Sequence, residues 1–200
     1  MRVIIVDYKE EWKQKFLKEK NIISDLLSFL IPVPIIEHIG STSVPGLGAK
    51  TTIDILIGLD NYEQLDQTIE TMATEYTFIK KYNPLWPTRR FYCRYMRDNN
   101  PPSGYSNNSP IPVIIDEHDP FPKDMGLISL TNIHTIVKNS DEWLRHIAFR
   151  DYLIAFPEIK KQYHQLKLDL SKKEFKDMFE YNDAKNEFIK RTEKEAMNWN

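Results

Sequence analysis

At 200 residues the chain has the length of one ordinary domain, with enough material for a substantial core. A hydrophobic share of 41% and an aromatic share of 12% exclude a disordered chain, and a net charge of −2 excludes polyanion binding by the molecule as a whole. Any phosphate site must come from local charge.

The single cysteine, Cys93, rules out an internal disulfide. The opening MRVIIVDYKEEW turns acidic and aromatic too soon for a signal peptide, and no apolar run approaches a membrane span. A cytoplasmic protein without membrane contact is expected.

Apolar residues at helical spacing between Glu10 and Leu30 (Trp12, Phe16, Ile22, Ile23, Leu26, Leu27) predict an amphipathic helix. PVPII ends it, and Ile35–Ile39 reads as a first strand. Thr51–Leu59 reads as a second, followed by Asn61 as N-cap of a helix to about Thr74. Tyr76–Lys81 and Arg90–Met96 read as two more strands. Residues 98–126 carry Pro101, Pro102, Pro110, Pro112, Pro120 and Pro122, half of the chain's 12 prolines. This stretch predicts a long arm in which "VII" forms at most a short edge strand. Leu127–Val137 is the last expected core strand. From Ser140 on the pattern is helical, with breaks near Pro157 and Ser171 and hence three helices. The expectation is an α+β fold: residues 1–139 as core, with a Pro-rich insertion at about 98–126, and residues 140–200 as a helical region packed on it.

Gly40-Ser41 follows the first strand directly, where a glycine lets backbone amides approach a phosphate and a serine hydroxyl can bond its oxygens. No Gly-Lys-Ser/Thr closes the turn, so it is not a P-loop, and it is not a GxGxxG turn. Asp54 lies within TTIDILIGL, where an ionised carboxylate is costly unless paired or bound to metal. Alternation puts residues 52, 54, 56 and 58 on one strand face and Ile53, Ile55 and Ile57 on the other. Asp54 therefore points out of the sheet towards the Gly40-Ser41 turn, either as a functional acid or as a partner of Lys50. From Lys80 to Arg97 the chain has Lys80, Lys81, Arg89, Arg90, Arg94 and Arg97 and no acid, its one local concentration of positive charge. Arg90 and Arg94 share a strand face with Tyr92, so two guanidiniums could reach one phosphate, or could form an ordinary charged face. Trp86 and Tyr82 could stack on a base or close a hydrophobic lid. Cys93 alternates with these and faces the core without a redox role.

Gly40-Ser41, twelve intervening residues and a strand aspartate resemble the signature of the nucleotidyltransferase superfamily, the DNA polymerase β-like fold. EHIGSTSVPGLGAKTTIDILIGL is similar to the GrpB family, a branch of that superfamily, as are VDYKEEWKQKF, RRFY, NIHTIV, EWLRHIAFRDYLIAFPEIKKQYHQLK and YNDAKNEFI. Thr135 stands where that family usually has a hydrophobic residue, and the 98–126 stretch is longer than its usual connection. The resemblance implies a nucleotidyltransferase-like mixed sheet of about five strands with flanking helices. It also implies Mg²⁺ held at Asp54, with phosphates held by Gly40, Ser41, Thr42, Ser43, Lys50, Arg90 and Arg94. Asp54 and His134 are then the catalytic candidates, His134 equally readable as a hydrogen-bonded structural residue. The family fold has a second carboxylate two residues on, and here that position is Leu56, so the acid pair is broken. The favoured function is accordingly a nucleotide- or phosphometabolite-binding protein, the partner being a nucleoside triphosphate or a coenzyme A-like molecule. An active Mg²⁺-dependent nucleotidyltransferase is the alternative, if Glu37, Asp116 or Glu117 supplies the missing acid. A nucleic-acid-binding module comes third, because the basic stretch is short and the total charge negative.

Overall fold

The computed structural model describes residues 1–199. Its centre is a sheet of five strands: β1 (Ile35–Ile39), β2 (Ile53–Leu59), β3 (Thr77–Phe78), β4 (Arg90–Arg97) and β5 (Leu127–Val137), in the order β1-β2-β5-β4-β3. β2 and β5 run parallel and every other neighbouring pair antiparallel, so the sheet is mixed. The helices are α1 (Glu11–Leu26), α2 (Glu63–Met72), α3 (Asp141–Ala155), α4 (Pro157–Ser171) and α5 (Met178–Trp199). The α+β class and the mixed five-strand sheet with flanking helices are as the sequence predicts.

Alternation along β2 assigns the two layers. Ile53, Ile55 and Ile57 pack with Trp12, Ile23 and Leu27 of the α1 segment, Leu65 and Met72 of α2, and Tyr92 and Ile133 of the sheet. On the opposite face Leu56 packs with Ile39, Ile136 and Trp143 of α3. Burying these side chains removes several hundred Å² of apolar surface from water at roughly 25 cal/mol per Å², the main stabilising contribution here. The side chain of Asn61 accepts the Gln64 amide at 3.1 Å and so caps α2 as expected. Ser140 does the same for α3, accepting the Trp143 amide at 3.3 Å.

Two predicted elements are shorter than their patterns suggest. The first helix stops at Leu26 and gives way to a turn, and the Tyr76–Lys81 strand keeps only Thr77–Phe78 before a 3₁₀ turn over Lys80–Tyr82. In the arm, Ile114 makes a parallel bridge to Phe78, the edge pairing expected of "VII". The Arg97 guanidinium fastens the arm by donating to the carbonyls of Ser109, Pro110 and Met125. No helix among the described residues is long and apolar enough to cross a membrane.

Candidate anion-binding cavity

Between the second sheet face and the layer of α4 and α5 lies a cavity of about 880 Å³. Its floor is set by strand parity: Lys50, Thr52 and Asp54 at and before β2, Asn132 and His134 on β5, and Phe91, Cys93 and Tyr95 on β4 all turn towards it. Gly40, Ser41 and Thr42 close one side, Tyr163, Lys167, Tyr181 and Lys185 come from the helices, and Phe121, Lys123 and Asp124 bring in the end of the arm.

The turn after β1 is built around Gly40, whose φ of 71° and ψ of −173° are reached readily only without a Cβ. A Cβ there would lie 2.5 Å from Asp54 Oδ2, so the glycine is also what lets the turn lie on the aspartate. Ser43 donates its hydroxyl to Gly40 O at 2.6 Å, and Thr42 Oγ1 pairs with His38 Nε2 at 3.0 Å, so both hydroxyls are engaged within the turn. Of the four, Gly40, Ser41 and Thr42 line the cavity, whereas Ser43 faces the smaller cleft beside Arg150.

Asp54 accepts a hydrogen bond from Asn132 Nδ2 at 2.9 Å, directly across the β2–β5 ladder. Burial pushes its carboxyl above the usual range, opposed by the Lys50 ammonium, the Asn132 amide and Lys185. Asn132 is locked with its oxygen away from Asp54, because Oδ1 accepts from Ser129 Oγ at 2.7 Å and from Cys93 Sγ at 3.4 Å. Cys93 is buried and its thiol is pushed up to about 12, consistent with a packed, unreactive group.

The surroundings of Asp54 are thus two ammonium groups and an amide N–H. A divalent cation needs oxygen donors on several sides. No group of three His, Cys, Asp or Glu residues suited to a metal occurs among the described residues. The acids that might have completed the set lie elsewhere: Glu37 pairs with Arg150 at 2.6 Å and Asp116 with Lys80 at 2.9 Å, while Glu117 is exposed in the arm and does not line the cavity. The residues around Asp54 do not fit Mg²⁺.

They do fit an anion. Lys50 precedes β2, Lys167 comes from α4 and Lys185 from α5, three lysines lining one cavity, two of them beside the Asp54 carboxylate. Burial lowers all three: Lys167 to about 7 and Lys185 to about 8, each also depressed by neighbouring lysines, and Lys50 by burial against the opposing pull of Asp54. Lys167 is only 3% exposed. Its ammonium donates to Gly48 O and sits 4.7 Å over the Tyr163 ring, and Lys185 sits 4.2 Å over the Tyr181 ring. An oxyanion entering here would meet more lysines than carboxylates in a low-dielectric setting.

His134 is held in one tautomer. Arg89 Nη1 lies 2.9 Å from His134 Nδ1, and a guanidinium only donates, so Nδ1 accepts and the neutral ring carries its proton on Nε2. Burial, then the Arg89 charge, keeps the ring far below its usual pKa and hence neutral. Arg89 is itself ion-paired with Glu142. So held, His134 serves as a hydrogen-bond donor and has no lone pair for a general base.

Past His134 the wall becomes aromatic. The Tyr82 ring lies 5.2 Å from Trp86, 5.8 Å from Phe91 and 6.0 Å from Phe179 of α5, and Phe91 packs 4.8 Å from His134. The cavity has a cationic end and an aromatic end.

Arg90 and Arg94 are not part of it. They share Tyr92's face, which is the α1/α2 side: Arg90 bonds Asp66 at 2.6 Å, and Arg94 bonds Glu19 at 2.9 Å and lies 3.5 Å from Glu75. Tyr92 is fully buried in that layer, donating to or accepting from Thr68 at 2.7 Å. With Lys80, Lys81, Arg89 and Arg97 also engaged by internal partners, the whole basic stretch is consumed within the fold. Two of the cationic residues that do reach the cavity, Lys167 and Lys185, look in sequence like ordinary helix-surface lysines. One signal for them existed: Tyr163 to Lys167 and Tyr181 to Lys185 repeat a Tyr-x-x-x-Lys spacing that puts ring and ammonium on one helix face.

An α+β sheet protein with a polar-to-aromatic cavity under its C-terminal helices is the class that these features define. The chain belongs to the GrpB family: the family model described as "GrpB protein" matches residues 2–195. It is 30% identical over 190 residues to "Glutamate-rich protein GrpB" of Alkalihalophilus pseudofirmus, covering 94% of this chain and 91% of that protein. It is 29% identical over 198 residues to "UPF0157 protein YqkA" of Bacillus subtilis, covering 99% of this chain but 48% of that longer protein. The crystal structure of "conserved protein GrpB" from Enterococcus faecalis superposes with a TM-score of 0.71 at 27% identity, covering 98% of this chain and all of that one.

Proposed function

We propose that this chain binds a nucleotide or a related phosphorylated metabolite, including a coenzyme A-like molecule, with its phosphate at the lysine end of the cavity and its ring against the aromatic end. The observation that carries this is the convergence of Lys50, Lys167 and Lys185 in a single cavity that also holds the Asp54 carboxylate. His134 Nε2–H and the Ser41 hydroxyl add neutral donors. Tyr82, Trp86 and Phe179 offer faces and edges on which a base can stack. The order from turn through strand aspartate is the feature shared with nucleotidyltransferases, and in this reading the anion-binding half of such a site is kept without the metal-binding half.

Calorimetric titration with ATP, GTP, CTP and UTP, in Mg²⁺ and in EDTA, tests it on the wild type, Asp54→Asn and Lys185→Met. Binding that persists in EDTA and in Asp54→Asn but weakens about tenfold or more in Lys185→Met is expected, since a hydrogen bond to a charged group contributes roughly 1.5–3 kcal/mol. Binding that requires both Mg²⁺ and Asp54 would overturn this reading in favour of a metal-dependent nucleotidyltransferase. If no triphosphate binds, the cavity is not a nucleotide site.

A further inference from the structure

The anion-binding reading uses Lys167 only as a charge, yet it is the least suited of the three lysines to that part. Lys50 and Lys185 have the Asp54 carboxylate within electrostatic reach, and Lys167 does not. Among the described residues Lys167 has no carboxylate partner, and its one hydrogen bond goes to a neutral carbonyl, Gly48 O. Every charged neighbour that bears on it, Lys50 and Lys185, is a cation. The other groups around it are the Tyr163 ring below the nitrogen and His164, whose Nε2 lies beside Gly48. Desolvation and like charge both favour the free amine.

A neutral amine in this position keeps its bond to Gly48 O by donating one N–H, and its lone pair is left for other use. That is the preparation a nucleophilic lysine needs: burial, neighbouring cations and a cavity that the residue lines. Lys50 and Lys185 supply a place for an anionic group next to it. We propose, resting on the anion-binding reading above, that Lys167 is a covalent capture site for small anionic aldehydes or ketones. The amine nitrogen attacks the carbonyl carbon, the C–N bond forms and the carbonyl π pair moves to oxygen. One N–H proton passes to that oxygen to give a neutral carbinolamine. Its nitrogen lone pair then forms the C=N bond as the C–O bond breaks, the hydroxyl leaving as water with one proton taken from solvent. That proton's charge stays on the protonated imine, so atoms and charge balance without any oxidant or reductant. The fixed positive charge of Lys50 and Lys185 stays with the ligand's phosphate or carboxylate throughout.

With its amine held near 7, Lys167 is about half free base at neutral pH. A surface lysine near 10.4 has on the order of a thousandfold less. The test uses the intact chain with pyridoxal 5′-phosphate as an anionic aldehyde probe, trapping by borohydride and peptide mapping. Expected is an adduct at Lys167 that exceeds that of any exposed lysine, such as Lys172 or Lys173, by at least about tenfold at pH 7. It should be much weaker with pyridoxal, which lacks the phosphate, and suppressed by inorganic phosphate. Lys167→Arg, which keeps a cation but no nucleophile, should remove it. Mapping on the wild type decides the matter even if that variant folds poorly. Labelling spread evenly over surface lysines, or no adduct at Lys167 while calorimetry shows phosphate binding, overturns the capture site and leaves the anion site standing. A Lys167 adduct that ignores both the probe's phosphate and competing phosphate overturns it too, because the anionic recognition would then be absent.

Discussion

Replacing Gly40 with alanine probes the contact between the turn and Asp54 most directly. Its backbone lies at φ 71° and ψ −173°, where a residue with a Cβ is strained by about 1–3 kcal/mol. The new methyl would also stand 2.5 Å from Asp54 Oδ2 and 3.0 Å from Asp54 Cβ. The aspartate cannot swing away freely, because Oδ1 is bonded to Asn132 at 2.9 Å and β2 is pinned between β1 and β5. Breaking that buried bond costs about 1–3 kcal/mol more. Against this, alanine restricts the unfolded chain and returns about 0.4–1 kcal/mol. The net loss is about 1–5.5 kcal/mol, a large share of the roughly 5–15 kcal/mol that holds a domain together. Urea unfolding should show it as a lowered midpoint at unchanged slope. In the background of Asp54→Gly the clash disappears and only the backbone strain remains, so the two substitutions should couple by about 1–3 kcal/mol. A Gly40→Ala loss below about 1 kcal/mol, or strict additivity with Asp54→Gly, would refute the geometry.

Other outcomes follow from the same structure. Sulfate keeps a constant charge between pH 6 and 9, whereas Lys167 and Lys185 lose their protons near 7 and 8 in the free protein. Sulfate affinity should fall as pH rises through that window, with proton uptake on binding detectable by calorimetry in buffers of different ionisation heat; a pH-independent affinity would exclude these lysines as the anion contacts. Trp86→Ala should weaken nucleotide binding by about 1–3 kcal/mol, the usual loss of a base–aromatic stack, and leave inorganic phosphate unaffected. Equal effects on both ligands would argue against stacking there. Arg94→Met leaves Glu19, whose side chain is only 11% exposed, with Tyr76 as its remaining partner at 2.6 Å. Stability should drop by about 2–4 kcal/mol in thermal or urea unfolding while ligand affinity stays at the wild-type level. A selective loss of affinity would return Arg94 to the site.

What the sequence disclosed depended on whether periodicity or partnership decided the outcome. Period-two alternation in TTIDILIGL correctly turned Asp54 away from Ile53, Ile55 and Ile57, because that face buries against α1 and α2. The same rule applied to Arg90, Tyr92 and Arg94 grouped them correctly but could not tell which face they shared. Tyr92 held the answer, since a central-strand tyrosine between arginines anchors the packed layer, and the arginines then follow it to Asp66 and Glu19. The lysine end was illegible for another reason. Lys167 and Lys185 reach inward only because the helices that carry them fold back over β2 and β5, and nothing local marks a helix lysine as buried. Residues 98–126 hold no strand of the sheet and only the 3₁₀ turn Pro122–Met125. That their end, from Phe121 to Asp124, would line the cavity depends on Arg97 gathering three of their carbonyls, a tertiary fact.

The broken acid pair takes on a different meaning once Leu56 is located. It is fully buried among Ile39, Ile136 and Trp143, opposite Glu37 on β1 and His134 on β5. A carboxylate there would need a cation or several hydrogen bonds to offset its desolvation. Glu37 is already neutralised by Arg150, and His134 accepts from Arg89 and so presents a donor instead of a metal-ligating lone pair. The second acid is therefore not a single missing side chain beside an otherwise complete metal site. Position 56 is core, and its two strand neighbours are committed to arginines. Meanwhile Asp54, which remains, is compensated by Lys50, Lys185 and the Asn132 amide. On the proposed reading the cavity takes an anion between ammonium groups rather than a cation between carboxylates, and these placements agree with that proposal together better than any one residue does.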